Sequence, residues 1–121
     1  MKGFFYFTAL LMILTGCQQK SETGEITSVN DVSKIDFNDE NNVLLDVRTA
    51  EEFNEGNIPN SVNIDYNSEE FDSLINGLDP DKTYYVYCQA GGRSTKACGK
   101  LQEAGFKNVV NLKDGYAAYK K

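Results

Sequence analysis

Apolar residues follow two rhythms that alternate along the chain. "NVLLDV" (Asn42–Val47), "SVNI" (Ser61–Ile64), "TYYVYC" (Thr83–Cys88) and "NVVNL" (Asn108–Leu112) are short runs, nearly continuous or rich in β-branched and aromatic residues. Such runs are what strands covered on both faces require. Between them the spacing opens to three and four. Phe71, Leu74, Ile75 and Leu78 lie at helical intervals behind Ser68, which predicts a helix capped by Ser68. Ala97, Cys98, Leu101 and Ala104 form a second apolar stripe, on a helix that starts near Ser94 and stops at Gly105. Two capping boxes mark shorter helices. One is "SVND" from Ser28, carrying Val32 and Ile35; the other is "TAEEF", with Thr49 as N-cap and Glu52 three residues on. "FNDENN" and "DPDK" are polar turns, and "GYAAYKK" is a predicted terminal helix. Strand–helix alternation of this kind predicts an α/β domain, a parallel sheet with helices on both sides.

The first residues follow a different pattern. "MKGFFYFTALLMILTGC" has a positive start at Lys2, an apolar run from Gly3 to Leu14, and small residues before Cys17. That is the pattern of an export signal, and the run is short for a membrane span. "LTGC" resembles a lipobox, the cleavage motif of bacterial lipoproteins. The resemblance implies that Cys17 is acylated and becomes the mature N-terminus. The expected organisation is a signal peptide over 1–16, a lipidated cysteine and polar tether over 17–25, and a folded domain over 26–121. The protein is then expected in a bacterial cell envelope, touching membrane through its lipid only, at the periplasmic face or the outer membrane. In a double-membrane cell, Gln18 and Gln19 after Cys17, in place of an Asp, favour the outer membrane.

Composition removes several functions. A chain of 121 residues suffices for one domain with a true core. Its formal charge of −6 and lack of a basic stripe argue against nucleic acid as a partner. It contains no histidine, which excludes hydrolases that need an imidazole base and every His-containing zinc site. Three scattered cysteines cannot build a Cys-only structural metal site. "DFNDENN" alternates oxygen ligands but lacks the glycine and final glutamate of a calcium loop, so it reads as solvated.

Candidate chemistry concentrates in "YVYCQAGGRST". A predicted strand ends at Cys88 and a helix begins near Ser94. Between them lie Gln89, Ala90, Gly91, Gly92 and Arg93. The glycines let successive N–H groups turn inward, and the new helix adds its positive end. The resulting cup prefers an anion and favours a thiolate at Cys88. Asp46 stands at the same end of another strand, so both face the crevice where α/β sheets bind ligands.

From these residues the chain resembles the rhodanese family. "LLDVRTAEEFNEGNIPNSVNI" matches its first motif through Asp46, Val47, Arg48, Glu52, Phe53, Gly56, Ile58 and Pro59. "CQAGGRS" matches its active loop, and "GFKNVVNLKDGYAAYKK" its C-terminal stretch, with Gly115 on a family glycine. Asn57, Asp114 and Tyr119 stand where the family often has His, Gly and Trp. The resemblance implies a three-layer fold around a five-stranded parallel sheet. It implies Cys88 as sulfur carrier, with Arg93 and Ser94 closing the loop. The reaction implied is ping-pong transfer of a sulfane sulfur, from a small donor such as thiosulfate to cyanide or a thiol, without metal or organic cofactor. A monomer is expected.

Supporting roles follow. Asp46 and Arg48 are expected as scaffold, Asp46 accepting from loop backbone and Arg48 pairing with Glu52. Arg93 either closes the loop through carbonyl contacts or meets substrate. Cys98 is expected as a small buried residue, with a Cys88–Cys98 disulfide as the alternative. Two other functions stay open, a non-catalytic persulfide relay and a phosphatase of related architecture. The phosphatases place one more residue between Cys and Arg than the four found here.

Overall fold

The structure is a computed structural model, and it describes residues 25–121. The predicted signal peptide, Cys17 and nearly all of the tether lie outside the described residues. Four strands, β1 (Asn42–Asp46), β2 (Ser61–Asn63), β3 (Thr83–Tyr87) and β4 (Asn108–Asn111), form one sheet in the order β2-β1-β3-β4. Every pairing is parallel; Leu45 lies between Val62 and Val86, and Tyr84 opposite Val109. Three α-helices connect or follow them: α1 (Ala50–Glu55), α2 (Phe71–Asn76) and α3 (Gly92–Glu103). Two 3-10 segments, Val29–Lys34 and Tyr116–Ala118, stand near the two ends.

Strand pleating sends Leu44 and Leu45 to opposite faces, and each seeds a core. Leu45, Val86 and Tyr84 pack with Phe71 and Ile75 of α2 and Ala97, Cys98 and Leu101 of α3. Leu44 and Tyr87 pack with Val29, Ile58 and Leu112 under the 3-10 segments. Both faces are covered, which is why the strands read as continuous apolar runs.

The sheet has four strands among the described residues, not the expected five. The four are those read from the residues themselves; the fifth came only from the family resemblance. Residues 25–28, the described backbone before the first 3-10 segment, do not join the ladder. The N–H groups of Thr27 and Ser28 donate to the Asp31 carboxylate instead, at 3.0 and 3.1 Å. Other boundaries also shift. Ser68 precedes α2 by a turn, its hydroxyl accepting from the Glu70 N–H, and α2 has no side-chain cap. With only six residues, α2 buries Phe71 and Ile75 and leaves Leu74 46% exposed. Ala104 is exposed where α3 turns away at Gly105. The predicted terminal helix is the single 3-10 turn Tyr116–Ala118.

Candidate active site

The loop from Cys88 to Gly91 joins the C-terminal end of β3 to α3. Helix α3 begins at Gly92, two residues before the expected start. Gly91 takes a left-handed conformation (φ 99°), which brings the first turn's N–H groups over the thiol. The Cys88 Sγ accepts from the Gly91 N–H at 3.0 Å and the Ser94 N–H at 3.3 Å. Burial alone pushes this thiol's pKa up. The Ser94 N–H and hydroxyl, with the N–H groups of Ala90 and Gly91, outweigh burial and hold it below the ordinary thiol value. The thiolate form of this sulfur is therefore favoured more than in an ordinary thiol.

Backbone contacts hold the cup in shape. The Gly91 carbonyl accepts from the Thr95 hydroxyl at 2.7 Å and from the Ser94 hydroxyl at 3.2 Å. From the other side, Tyr116 N–H donates to the Cys88 carbonyl (2.8 Å) and Ala117 N–H to the Gln89 carbonyl (3.1 Å). Two glycines permit this approach. A Cβ on Gly91 would sit 2.5 Å from the Lys113 carbonyl oxygen, and one on Gly115 (φ 78°) would collide with the Gln89 carbonyl. Sequence reasoning missed this 115–117 brace. Gly115 itself was its one visible sign, because the bonds come from backbone and leave no residue-type signal.

Asp46 and Arg48 are both buried, and they pair with each other. Arg48 Nη2 reaches Asp46 Oδ2 at 2.7 Å, and Nε lies 3.1 Å from both carboxylate oxygens. This corrects the expected Arg48–Glu52 pair: a fully buried carboxylate needs its cation in direct contact. The Asp46 carboxylate accepts from the Arg48 N–H at 2.9 Å, in its own β1–α1 connection rather than in the Cys88 loop where its backbone partner was expected. Arg48 also donates to the Gly56 carbonyl (2.7 Å) and to Gln89 Oε1 (3.2 Å), and its guanidinium lies 4.3 Å from the Tyr116 ring centroid. Gly56 has no Cβ, and one there would stand 2.7 Å from the Tyr116 hydroxyl.

Arg93 makes no hydrogen bond to a loop carbonyl. Its two terminal nitrogens grip Glu52, at 2.7 and 3.1 Å. The same carboxylate accepts from the Thr49 N–H as the third residue of α1. Arg93 and these bonds outweigh partial burial and bring the Glu52 pKa down to about 2. In sequence Glu52 reads as half of a capping box, as a motif position and as the expected partner of Arg48; its pairing with Arg93 instead needed α1 and α3 to be brought together. Ala90 and Gly92 are exposed and Ser94 is buried. Cys98 lies buried in the same apolar cluster as Cys88, and both thiols are free. Among the described residues, no group of three or more His, Cys, Asp or Glu comes together to hold a metal.

A family profile described as Rhodanese-like domain matches residues 28–121. The chain belongs to the rhodanese-like domain family. Within that family it is 39% identical over 98 residues to the putative sulfurtransferase YtwF of Bacillus subtilis, covering 81% of this chain and 91% of that one. It is 34% identical to the chloroplastic thiosulfate sulfurtransferase 16 of Arabidopsis thaliana, over 64% of this chain and 72% of that protein. It also matches the tRNA uridine(34) hydroxylase of Pelagibacter ubique at 40% identity, but spans only 29% of its length. Among solved structures, a rhodanese-related protein of Thermoplasma volcanium aligns with a TM-score of 0.59 at 33% identity, covering 73% of this chain and 82% of that one. These relatives place the chain among rhodanese-domain sulfurtransferases, whose substrates are a sulfur donor and an acceptor.

Proposed function

We propose that Cys88 carries a sulfane sulfur from a donor such as thiosulfate to a thiol or cyanide. The observation that supports this most directly is the Cys88 thiol seated against the Gly91 and Ser94 N–H groups, with its pKa lowered. In the first step the Cys88 thiolate attacks the outer sulfur of thiosulfate. The S–S bond of the donor breaks, sulfite leaves with the electron pair, and Cys88 becomes a persulfide. The loop N–H groups are then positioned to carry the terminal sulfur's charge. In the second step the acceptor takes that sulfur, and Cys88 returns as thiolate. The chemistry is covalent and ping-pong.

Asp46 and Arg48 act as scaffold, fixing Gln89 and hence the loop's first turn. Arg93 works through Glu52, locking the start of α3 to α1. A loop with four residues between Cys88 and Arg93 surrounds one soft sulfur atom. A phosphoryl group brings three oxygens that all need donors, and Arg93 is already engaged by Glu52. In this reading the full chain is exported and held to a bacterial envelope membrane by acyl groups on Cys17. Cys17→Ser is expected to move it to the soluble fraction. If wild type and variant are both soluble, the anchor is wrong.

The deciding experiment offers the purified protein thiosulfate with cyanide and, separately, an aryl phosphate. One added sulfur on Cys88 by intact mass, with thiocyanate release, is expected. Phosphate release without any persulfide would replace this reading by the phosphatase.

A further inference from the structure

Beside the loop lies a cavity of about 430 Å³, walled by Gln89, Glu52, Glu55, Gly56, Tyr116 and Lys121, with Arg48 at its base. Most of its polar groups are already engaged. Arg48 is held by Asp46, the Gly56 carbonyl and Gln89, and Glu52 holds both terminal nitrogens of Arg93. Two charges remain. The Glu55 carboxylate and the Lys121 ammonium have no ion-pair partner among the described residues. The Lys121 ammonium stands 5.7 Å from the Tyr116 ring centroid, on the cavity wall. Gln89 adds a neutral donor. Its Oε1 faces Arg48 at 3.2 Å, which leaves its amide nitrogen available.

One cavity therefore offers a free anion, a free cation and an amide donor. It touches both ends of the sulfur loop, through Gln89 next to Cys88 and through Glu52 on Arg93. Its space equals on the order of ten waters at about 30 Å³ each, far more than a diatomic acceptor fills. We propose that this cavity is the acceptor site and that it selects a small thiol bearing both an ammonium and a carboxylate. The ammonium lies toward Glu55; the carboxylate lies toward Lys121 and the Gln89 amide. This inference rests on the Cys88 persulfide proposed above. The acceptor's thiolate attacks the outer sulfur, the bond from that sulfur to Cys88 Sγ breaks, and Cys88 leaves as thiolate. The acceptor departs as a persulfide anion, so charge is conserved and no oxidant is needed.

Four thiols and the full chain test it, with thiosulfate as donor. Cysteine carries both charges, cysteamine the ammonium alone, 3-mercaptopropionate the carboxylate alone, and 2-mercaptoethanol neither. KM is expressed per thiolate, and each variant is normalised to its own rate with cyanide. Cysteine is expected to have the lowest KM and 2-mercaptoethanol the highest. Glu55→Gln is expected to raise KM for cysteine and cysteamine about three- to fivefold relative to the other two, as loss of a partly exposed ion pair does. Lys121→Met is expected to do the same for cysteine and 3-mercaptopropionate. If the wild type ranks the four alike, or the variants shift all four together, the acceptor assignment falls and sulfur transfer stands. Absence of any persulfide on Cys88 overturns both.

Discussion

Cys88 and Cys98 lie ten residues apart, in one apolar cluster, 1% and 7% exposed. Their acidities move in opposite directions. Burial, helped by the charge of Cys88, pushes the Cys98 thiol up to about 12. Burial acts on Cys88 too, yet its pKa falls. The difference is position along α3. Cys88 precedes the helix and faces N–H groups that no earlier carbonyl satisfies; Cys98 sits mid-helix, where those groups are bonded to backbone. Burial by itself disfavours a thiolate; at Cys88 the Gly91 and Ser94 N–H groups aimed at the sulfur reverse that.

The strongest way to break this contrast is to remove each sulfur. Cys88→Ser is expected to abolish persulfide formation and cut transfer on the order of 1000-fold or more, as loss of a nucleophile does. Cys98→Ala is expected to keep most activity and to cost about 1 kcal/mol of stability. Intact mass and thiocyanate release read both. Equal loss in the two variants would point to a two-cysteine redox site.

A smaller effect is expected from moving the donors while keeping the sulfur. Gly115→Ala forces a Cβ into the Gln89 carbonyl and shifts the loop. A displacement near 1 Å costs about 100-fold in rate, so transfer is expected to fall by that order while Cys88 remains present. Unchanged kcat would mean that the cup tolerates a looser brace.

Titration sharpens the comparison further. The alkylation rate of Cys88 is expected to reach half-maximum below the ordinary thiol pH, while folded Cys98 stays unreactive through pH 9 (Cys98 titrates at about 12). Ser94→Ala deletes the hydroxyl but retains the N–H, so the Cys88 midpoint is expected to rise without reaching that of Cys98. A fixed midpoint would assign the whole effect to backbone.

The mildest test is at Glu52, which holds the start of α3. Its folded pKa, about 2, lies below the ordinary 4.5. The pair therefore stabilises the fold fully above pH 4.5, and the contribution is lost as pH falls through 2. The Tm difference between wild type and Glu52→Gln is expected to be complete at neutral pH and to vanish in strong acid. A difference independent of pH would leave the pair without a part in stability.

Much of this was legible because it is written in local pattern. The four strands, the capping boxes at Ser28 and Thr49, and the thiol before a glycine pair are features of neighbours in sequence. The misreadings came where a side chain had a choice of distant partners. Arg48 was expected on Glu52 and is found on Asp46; Arg93, expected either on loop carbonyls or at substrate, is found on Glu52. Spacing suits either arrangement, and burial decides between them. Asp46 is fully buried beside Arg48, which leaves Glu52 to Arg93. Leu74 shows the same limit in the core: its periodicity is helical, but a six-residue α2 turns only Phe71 and Ile75 inward.

The sequence by itself determined the parallel α/β class, the family, and the strand–loop–helix carrying Cys88, because each follows from periodicity, turn chemistry and contiguous motif. Only the tertiary structure decided how many strands pair, which carboxylate meets which arginine, and that backbone at 115–117 braces the loop. It also brought Gln89, Glu55 and Lys121 to one cavity. Those outcomes depend on groups far apart in the chain competing for the same buried space, and no local pattern records which of them wins.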